Sequence, residues 1–327
     1  MEQIIQLICE RESFVLTGHT SPDGDAIGSC FGLAFALEKL GKKVIVMLEP
    51  YPQKYNIIPG RKFLHKGDKP TDVDVLIALD CGDINRLGLG QEVFSCAKHT
   101  ICIDHHKTNE GFAQYNYIEP NTASTSEIVF RLIEQLTEPT IEIAQAIYAG
   151  IVSDTNGFRY EATSASTMHI AAKLMDMGIP FTDIYNEVTY IHDFSSNLAK
   201  GIVIQNTKKT DDDRIIYSHI SREELASVGA DSSDLDGLVE YLRDTRGANI
   251  AALIYEKGKP PTPPPEENTV KISFRSNGPD VSAVAATIGG GGHRLAAGAT
   301  TTGTINSVAE QVLNLLESEL IAYDRRT

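Results

Sequence analysis

The sequence predicts an α/β protein with two domains, a parallel-sheet domain over residues 1–190 and a smaller mixed-sheet domain over residues 191–327. Three observations predict this fold. Short Val/Ile/Leu-rich segments alternate with longer helical segments in the first part, as in a parallel sheet covered by helices on both faces. The segments change character near residue 190. The hydrophobic share of the 327 residues is 42%, which suits packed globular domains.

Four short apolar segments of the first domain are predicted strands: 14–18, 43–48, 73–80 and 100–104. The segment 26–40 is apolar almost all round and stops before Gly41, so it is predicted to be a buried helix. Four later segments have helical character: 123–137, 141–150, 164–177 and 181–190. The pattern loosens over 186–200, where we place a hinge.

The second domain has three strand-like segments, 214–221, 249–258 and 269–278, and two helical ones, 221–229 and 307–323. The intervening stretch 258–268 contains several prolines and is predicted to be an exposed, extended loop. These elements indicate a mixed sheet with helices.

Composition excludes several classes of protein. No apolar run reaches the roughly 18 residues that a membrane span needs, and the acidic N-terminal segment does not resemble a signal peptide. The five cysteines form no CxxC pair, which favours a reducing cytoplasm. The formal charge of −15 argues against a protein that tracks long nucleic acid, because such proteins carry a basic stripe. The acidic balance reflects either solubility or metal-binding aspartates.

Acidic and histidine residues follow apolar runs at four places in the first domain. They occur in "HTSPDGDAIGS" from His19, in "ALDCGD", in "DHH" and in "VSDTNGF". Asp80 and Asp154 could each equally be ordinary turn residues. The adjacent histidines after Asp104 are harder to explain that way, since both need partners. Because ligands bind at the carboxyl ends of parallel strands, these segments indicate a site there.

Together the segments offer two histidines and four carboxylates, enough to hold two divalent cations. Imidazole and carboxylate ligands favour Mn²⁺, with Fe²⁺, Co²⁺ or Zn²⁺ possible and Mg²⁺ less suited to histidine. Two such ions, about 3.5–4 Å apart and sharing a carboxylate, activate a bridging hydroxide and neutralise phosphate charge. Pro22 and Gly24 would bend the loop so that its ligands converge.

The four motifs, in this order, resemble those of the DHH phosphoesterase superfamily. In the second domain "GGGGHRLAAG" at 289–298 resembles the glycine-rich signature of the DHH-associated domain, and "VKISFRS" before it fits the same pattern. A glycine run flanked by packed sequence favours a backbone that approaches phosphate. The resemblance covers nearly the whole chain.

The resemblance implies a role for each matching residue. One ion would be held by His19, Asp23 and Asp80. The other would be held by Asp25, Asp80, His105 and Asp154, with Asp80 bridging. His106 would act at the scissile phosphate as electrophile or general acid, and Asp104 would orient a histidine from behind. A terminal phosphate of the substrate would be held by Arg275, Gly290, Gly291, Gly292 and His293.

Length selects among the members of the superfamily. RecJ-type nucleases carry further domains, and manganese pyrophosphatases carry a different second domain. The compact two-domain form resembles the NrnA type, which degrades oligoribonucleotides of a few units, dephosphorylates 3′-phosphoadenosine 5′-phosphate (pAp) and in some members hydrolyses cyclic di-AMP or its linear form pApA. The resemblance implies a metal site in the interdomain cleft and a homodimer through the first domain.

The function expected on this basis is Mn²⁺-dependent hydrolysis of very short nucleotides, with release of nucleoside 5′-monophosphates. Two alternatives stay open. One is a pyrophosphate or polyphosphate hydrolase. The other is a regulator that binds a nucleotide without hydrolysing it.

Overall fold

The computed structural model describes residues 1–258 and 268–326. Most of the proline-rich stretch predicted to be an extended loop therefore lies outside the described residues. The chain divides into two compact units, Met1–Ile191 and His192–Thr327, and each is described by itself.

The first unit is built on a five-stranded sheet in the order β2-β1-β3-β4-β5, and every neighbouring pair is parallel. Its strands are β1 (Ser13–Thr17), β2 (Lys43–Met47), β3 (Val75–Leu79), β4 (His99–Asp104) and β5 (Tyr115–Ile118). Because side chains alternate along a strand, Leu16 and Ile77 enter one core and Val15 and Leu76 enter another on the opposite face. Burial on both faces explains why the strands lack polar alternation.

Seven helices surround this sheet: α1 (Glu2–Glu10), α2 (Gly24–Lys39), α3 (Gly90–Cys96), α4 (Thr125–Leu136), α5 (Ile141–Asp154), α6 (Ala165–Asp176) and α7 (Phe181–Thr189). Buried side chains of α1, α2, α4 and α5 join the larger core, and those of α3 join the smaller one. The larger core holds much of the apolar surface whose removal from water stabilises the unit.

Helices α2 and α5 pack unusually closely because glycines line their contact. A Cβ placed on Gly28 would lie 2.5 Å from the carbonyl oxygen of Ala146 and 3.0 Å from the backbone of Gly150. Only a residue without a side chain permits that approach. The contact matters for the site below, since α2 begins beside Asp25 and α5 ends at Asp154.

The second unit contains a six-stranded mixed sheet in the order β10-β11-β9-β8-β7-β6. Its elements are α8 (Phe194–Gln205), β6 (Lys208–Lys209), β7 (Ile215–Ile220), α9 (Arg222–Ser227), α10 (Leu238–Arg243), β8 (Ile250–Glu256), β9 (Asn268–Ser276), α11 (Val281–Thr287), β10 (Gly291–His293), β11 (Ala296–Gly303) and α12 (Ile305–Asp324). Strands β7 and β8 pair in parallel and the other pairs are antiparallel. Separate apolar cores involve α11 and α12 in one case and α8, α9 and α10 in the other.

The predicted fold class is confirmed: a parallel α/β sheet is followed by a separate mixed sheet. The predicted strands of the first unit occur within two residues of their expected bounds, whereas β5 was not predicted. Helix α5 extends four residues beyond the predicted end at 150, and α8 begins at Phe194, where the sequence pattern had seemed to loosen. Across 1–258 and 268–326, no helix combines the length and apolarity needed to cross a bilayer.

Candidate metal centre and active site

The acidic and histidine motifs of the first unit meet at the carboxyl edge of the parallel sheet. The chain leaves β1 toward β2 on one side and returns as β3 on the other, so β1 and β3 flank a topological switch point. His19 lies two residues after β1, Asp80 directly follows β3, and Asp104 ends β4. Asp154 arrives from a helix, as the last residue of α5.

Asp80 lies at the centre of the cluster, and its two carboxylate oxygens face different histidines. Its Oδ2 is 3.6 Å from His19 Nε2, and its Oδ1 is 3.6 Å from His105 Nε2. Asp80 is buried, and its φ of +55° is a left-handed conformation that a non-glycine residue adopts rarely. Such outliers cluster at functional sites, where the surrounding structure holds them in place.

His19 and Asp23 form one side of the cluster. The Nδ1 atom of His19 is 2.8 Å from the carbonyl oxygen of Thr20, and Nε2 is 3.6 Å from Asp23 Oδ2. A proton on Nδ1 satisfies that carbonyl, which leaves the lone pair of Nε2 directed toward the carboxylates. The other oxygen of Asp23 accepts from the backbone N–H groups of Asp25 and Ala26 and so caps α2.

Asp25 is fully buried and is held by the start of another helix. Its Oδ2 accepts from the N–H of Thr125 at 2.6 Å, and its Oδ1 accepts from the N–H of Ser126 at 2.9 Å. These residues open α4, whose unpaired N–H groups favour a negative charge. The hydroxyl of Thr125 also donates to Asp80 Oδ1 at 3.1 Å, so one helix end fixes two of the carboxylates.

His105 and Asp154 complete the cluster. Nε2 of His105 is 3.3 Å from Asp154 Oδ2, while Nδ1 is 3.1 Å from the carbonyl oxygen of Thr122. The backbone carbonyl therefore fixes the ring in the same manner as at His19. Both histidines present Nε2 to carboxylate oxygens, which is the arrangement of imidazole ligands supported from behind.

His106 points differently, toward Asp104. Its Nδ1 is 2.7 Å from Asp104 Oδ1 and 3.8 Å from Asp80 Oδ1. The second oxygen of Asp104 accepts from the side-chain amide of Asn109 at 2.7 Å. Since the hydrogen bond occupies Nδ1, Nε2 of His106 stays free to exchange a proton, and the ring retains 35% of its side-chain exposure.

Negative charge dominates the electrostatics of the cluster. Burial, then the charges of Asp80 and Asp154, raises the pKa of Asp25 well above its usual range. Burial and then the charge of Asp80 raise the pKa of Asp154 to about 7. Burial lowers the pKa of His19, but the carboxylates of Asp23 and Asp80 outweigh it and raise that pKa to about 10. The site thus favours added positive charge, as protons or as cations.

The donor atoms fit divalent cations. Three overlapping groups offer ligand atoms that all lie within 4.8 Å of one another: His19 with Asp23 and Asp80, Asp25 with His105 and Asp154, and Asp80 with His105 and His106. Mixed imidazole and carboxylate ligands suit Mn²⁺, Fe²⁺, Co²⁺ or Zn²⁺. The six predicted ligands are therefore brought together by the structure, in two groups that approach each other at Asp80 and His105.

Several residues of the site were missed by reasoning from the sequence. Thr122, Thr125 and Ser126 contribute backbone groups or a hydroxyl, and Asn109 contributes an amide. The run "NTASTSE" before an apolar segment is a recognisable helix start. Asp25 lies 100 residues before Thr125 in the chain, so no local signal in the sequence shows that this helix start contacts it.

The predicted substrate-binding residues all lie in the second unit. Arg275 of β9 donates from Nε to Glu240 Oε1 at 2.8 Å, and it borders a cleft of about 330 Å³ that Lys271, Ser273 and Tyr255 also line. Residues Gly291–His293 form β10, which is exposed and pairs with β11. Gly290 precedes this strand, and a Cβ there would lie 2.5 Å from the Cβ of Ala299, so close packing requires glycine.

Comparison with known proteins decides the family. The sequence matches the DHH family, N-terminal domain, over residues 13–151 and the DHHA1 domain over residues 212–322. It is 32% identical to the bifunctional oligoribonuclease and PAP phosphatase NrnA of Thermus thermophilus, over 92% of this chain and 88% of that one. The chain belongs to the DHH family. The predicted resemblance is thereby confirmed, and the protein is an enzyme of the DHH phosphoesterase family.

Further relatives and solved structures resemble the chain. The NrnA of Bacillus subtilis is 25% identical over 91% of this chain and 92% of its own. An exopolyphosphatase-related protein from Bacteroides fragilis has a TM-score of 0.86 at 28% identity, with 98% of this chain and 95% of that one covered. A structure of exonuclease RecJ bound to manganese shares the fold, with a TM-score of 0.53 at 14% identity over 97% of this chain and 93% of that one.

Proposed function

We propose that the enzyme uses divalent cations, with Mn²⁺ the preferred ion, to hydrolyse phosphoester bonds in very short nucleotides and release nucleoside 5′-monophosphates. The observation that carries the proposal is the placement of Asp80, whose two oxygens each face a different histidine at 3.6 Å. Asp80 would thus offer one oxygen to each group of ligands, which suits a carboxylate shared by two cations. The names of the related NrnA enzymes supply the substrate class.

A single bond type links the two activities in the relatives' name. In pAp a phosphate is attached to O3′ of adenosine 5′-phosphate, and in pApA the same oxygen carries the next nucleotide. Attack of water on phosphorus with departure of O3′ releases AMP in both cases. One site can therefore perform a phosphatase and a phosphodiesterase reaction, provided that it recognises the short nucleotide and the cleaved phosphate.

We assign one cation to His19, Asp23 and Asp80 and the other to Asp25, Asp80, His105 and Asp154. The assignment starts from two of the three groups of ligand atoms described above. Asp80 is added to the second group because its Oδ1 is 3.6 Å from His105 Nε2, and His106 is left out because its Nδ1 pairs with Asp104. When bound, the cations would neutralise the phosphate charge and activate water for attack. The backbone carbonyls of Thr20 and Thr122 would keep the two imidazoles oriented as ligands.

We assign to His106 the role of general acid for the departing oxygen. The hydrogen bond with Asp104 raises the pKa of His106, against the opposing effect of burial. That shift increases the share of the imidazolium form, the form that can donate a proton. The proton on Nδ1 stays with Asp104, so the proton on Nε2 is the one available to the leaving group.

The second unit would contribute recognition of the substrate. Arg275, the amides of Gly290, Gly291 and Gly292, and His293 are proposed to hold a terminal phosphate. An arginine and exposed backbone N–H groups are common partners of phosphate. A site that grips one phosphate locally needs no basic track, which is consistent with the net charge of −15.

We also propose a cytoplasmic enzyme that works on nucleotides free in solution. All five cysteines are free, as is usual in a reducing compartment. A homodimer through the first domain and a metal site in the interdomain cleft stay predictions from the resemblance.

Product analysis with a panel of substrates tests the proposal. Purified protein with Mn²⁺ is offered pApA, pAp, cyclic di-AMP and pyrophosphate, and products are separated by anion exchange. The double variant Asp104→Ala/His105→Ala is compared with His169→Ala/Asp176→Ala, a matched pair exposed on α6. AMP from pApA and pAp with wild type and the α6 variant, but not with the first variant, is the expected result.

The same panel separates a second candidate function. The similarity to an exopolyphosphatase-related protein favours hydrolysis of phosphate anhydrides as the alternative. Phosphate released from pyrophosphate alone, with pApA and pAp left intact, would replace the short-nucleotide proposal by that alternative.

A further inference from the structure

Asn109 is a buried amide directly behind the Asp104–His106 pair. It is 9% exposed, and its Nδ2 donates to Asp104 Oδ2 at 2.7 Å and to the carbonyl oxygen of Cys81 at 3.2 Å. The same atom is 3.4 Å from the sulfur of Cys102. The two strong acceptors account for both hydrogens of the amide nitrogen.

The opposite end of the amide fixes its direction. The Oδ1 of Asn109 accepts from the N–H of Gly111 at 2.8 Å, and the N–H of Asn109 donates to the carbonyl oxygen of His106 at 3.1 Å. In the flipped orientation the amide oxygen would face the oxygens of Asp104 and Cys81, and the NH₂ group would face the N–H of Gly111. The network therefore leaves one orientation, with the NH₂ group toward Asp104.

Both carboxylate oxygens of Asp104 therefore take part in hydrogen bonds. One accepts from Asn109 and the other lies 2.7 Å from His106 Nδ1. A carboxylate held at one oxygen by an ionisable ring can rotate, whereas one held at both oxygens keeps its plane. The carbonyl of Cys81 ties the same amide to the residue that follows Asp80, so the loop that carries His106 is fixed relative to the cluster.

We propose that Asn109 is a positioning residue for the general acid: through Asp104 it holds the His106 ring so that Nε2 faces the departing oxygen. The inference rests on the proposed function, in which His106 protonates that oxygen. Residues that hydrogen-bond to metal-ligating side chains affect activity about 10- to 100-fold when they are removed, and we expect the same scale for a residue that supports the general acid.

The assigned step predicts which substrates depend on Asn109. Water forms a new bond to phosphorus while the bond from phosphorus to O3′ breaks and its electron pair passes to O3′. The proton on His106 Nε2 goes to O3′, one proton of the water goes to solvent, and His106 regains a proton from solvent. An alcohol such as O3′ departs slowly as an alkoxide and needs that proton. A p-nitrophenolate is stable without it.

The experiment compares two esters of the same nucleotide. Steady-state kcat and KM are measured for pApA and for the p-nitrophenyl ester of AMP, with the full-length protein at saturating Mn²⁺. The variants are Asn109→Ala, Asn109→Asp and the control Asn116→Ala. Asn116 is exposed on β5, and its side-chain amide bonds with the backbone of Ala113. Mn²⁺ binding and thermal unfolding are measured for each variant by calorimetry.

The expected result is selective. Asn109→Ala lowers kcat for pApA about 10- to 100-fold, leaves kcat for the p-nitrophenyl ester within about threefold, and leaves KM and Mn²⁺ affinity near the wild-type values. Asn116→Ala matches wild type on both esters. Equal losses on the two esters, or no loss on either, would overturn the inference, because a merely structural role does not distinguish leaving groups.

Asn109→Asp keeps the volume of the side chain and removes the donor, so it separates packing from positioning. It places a carboxylate against Asp104, and we expect kcat for pApA to fall at least as far as in Asn109→Ala. A higher kcat for pApA in Asn109→Asp than in Asn109→Ala would contradict the inference. If wild-type protein hydrolyses neither ester, the proposed function fails as well; wild-type activity with equal losses in the variants refutes the role of Asn109 alone.

Discussion

The close contact between α2 and α5 leads to a prediction about Gly28, which is not one of the proposed ligands. In Gly28→Ala the new Cβ would lie 2.5 Å from the carbonyl oxygen of Ala146 and 3.0 Å from the backbone of Gly150. An ordinary contact begins near 3.4 Å, so the two helices must separate by about 0.9 Å. The obstructing atoms belong to backbone, and no side-chain rotation relieves them.

The size of the effect follows from two opposing contributions. Overpacking of this kind costs about 1–3 kcal/mol, and the better helix propensity of alanine returns up to about 1 kcal/mol. With about 2 kcal/mol lost to overpacking and about 1 kcal/mol returned, we expect a net loss of about 1 kcal/mol, which for a unit of this size lowers Tm by about 2–4 °C. Because the separation moves Asp25 away from Asp154, kcat should fall about 10- to 100-fold, as for other displacements near 1 Å.

Differential scanning calorimetry and kcat for pApA at saturating Mn²⁺ measure both effects. Gly201→Ala is the matched control, since Gly201 lies within α8 and an added Cβ there has no described atom within 4 Å. That variant should keep wild-type kcat and gain up to about 1 kcal/mol. Wild-type Tm and kcat in Gly28→Ala would refute the argument that glycine sets the spacing of the two helices.

Two further predictions concern cation binding and substrate recognition. Burial and the charge of Asp80 raise the pKa of Asp154 from 3.8 to about 7. Between these two pH values the metal-free folded protein binds a proton that the unfolded chain has released. The stability of the metal-free protein therefore falls as pH rises from 3.8 to about 7. Bound Mn²⁺ offsets the repulsion between the carboxylates and needs deprotonated ligands, so the rise in Tm on adding Mn²⁺ should be larger at about pH 8 than at about pH 5. An equal or smaller rise at the higher pH argues against a cation among these carboxylates. Arg275→Gln should raise KM for pApA about 10-fold or more with little change in kcat, because a charge-assisted bond to phosphate contributes about 1.5–3 kcal/mol. Glu240→Gln removes the negative charge that pairs with Arg275 and should leave KM unchanged or lower it. A rise in KM in both variants would indicate that the pair is structural only.

The layout of the sheet could be predicted because its strands and helices have local signals. Runs such as Val75–Leu79 are buried on both faces and read as continuous apolar segments. Strand β5 (Tyr115–Ile118) is a half-buried edge strand with mixed side chains, so its sequence lacks that signal. Helix α5 runs to Asp154 because its last turn is stabilised by packing against α2, which propensity does not record.

The ligands of the site could be proposed from the sequence because they occur in short motifs directly after apolar segments. The contacts that hold these ligands in place could not be predicted from the sequence. Asp25 is held by the N–H groups of Thr125 and Ser126, and Asp104 is held by Asn109. The first contact joins backbone to a side chain and is set by the packing of α4, and the second joins two side chains and is set by one loop conformation. The left-handed conformation of Asp80 likewise has no signal in the sequence: aspartate tolerates it better than most residues, but the surroundings hold it there.

The central claim is that the cluster around Asp80 performs the hydrolysis of short nucleotides. Its most direct test is the rate of AMP release from pApA by Asp80→Asn, beside Asp83→Asn, which changes an exposed aspartate three residues later. We predict that Asp80→Asn lowers the rate by about 10²- to 10³-fold, the scale seen when a central electrostatic group is lost, while Asp83→Asn keeps the wild-type rate. A rate in Asp80→Asn close to that of wild type would contradict the account.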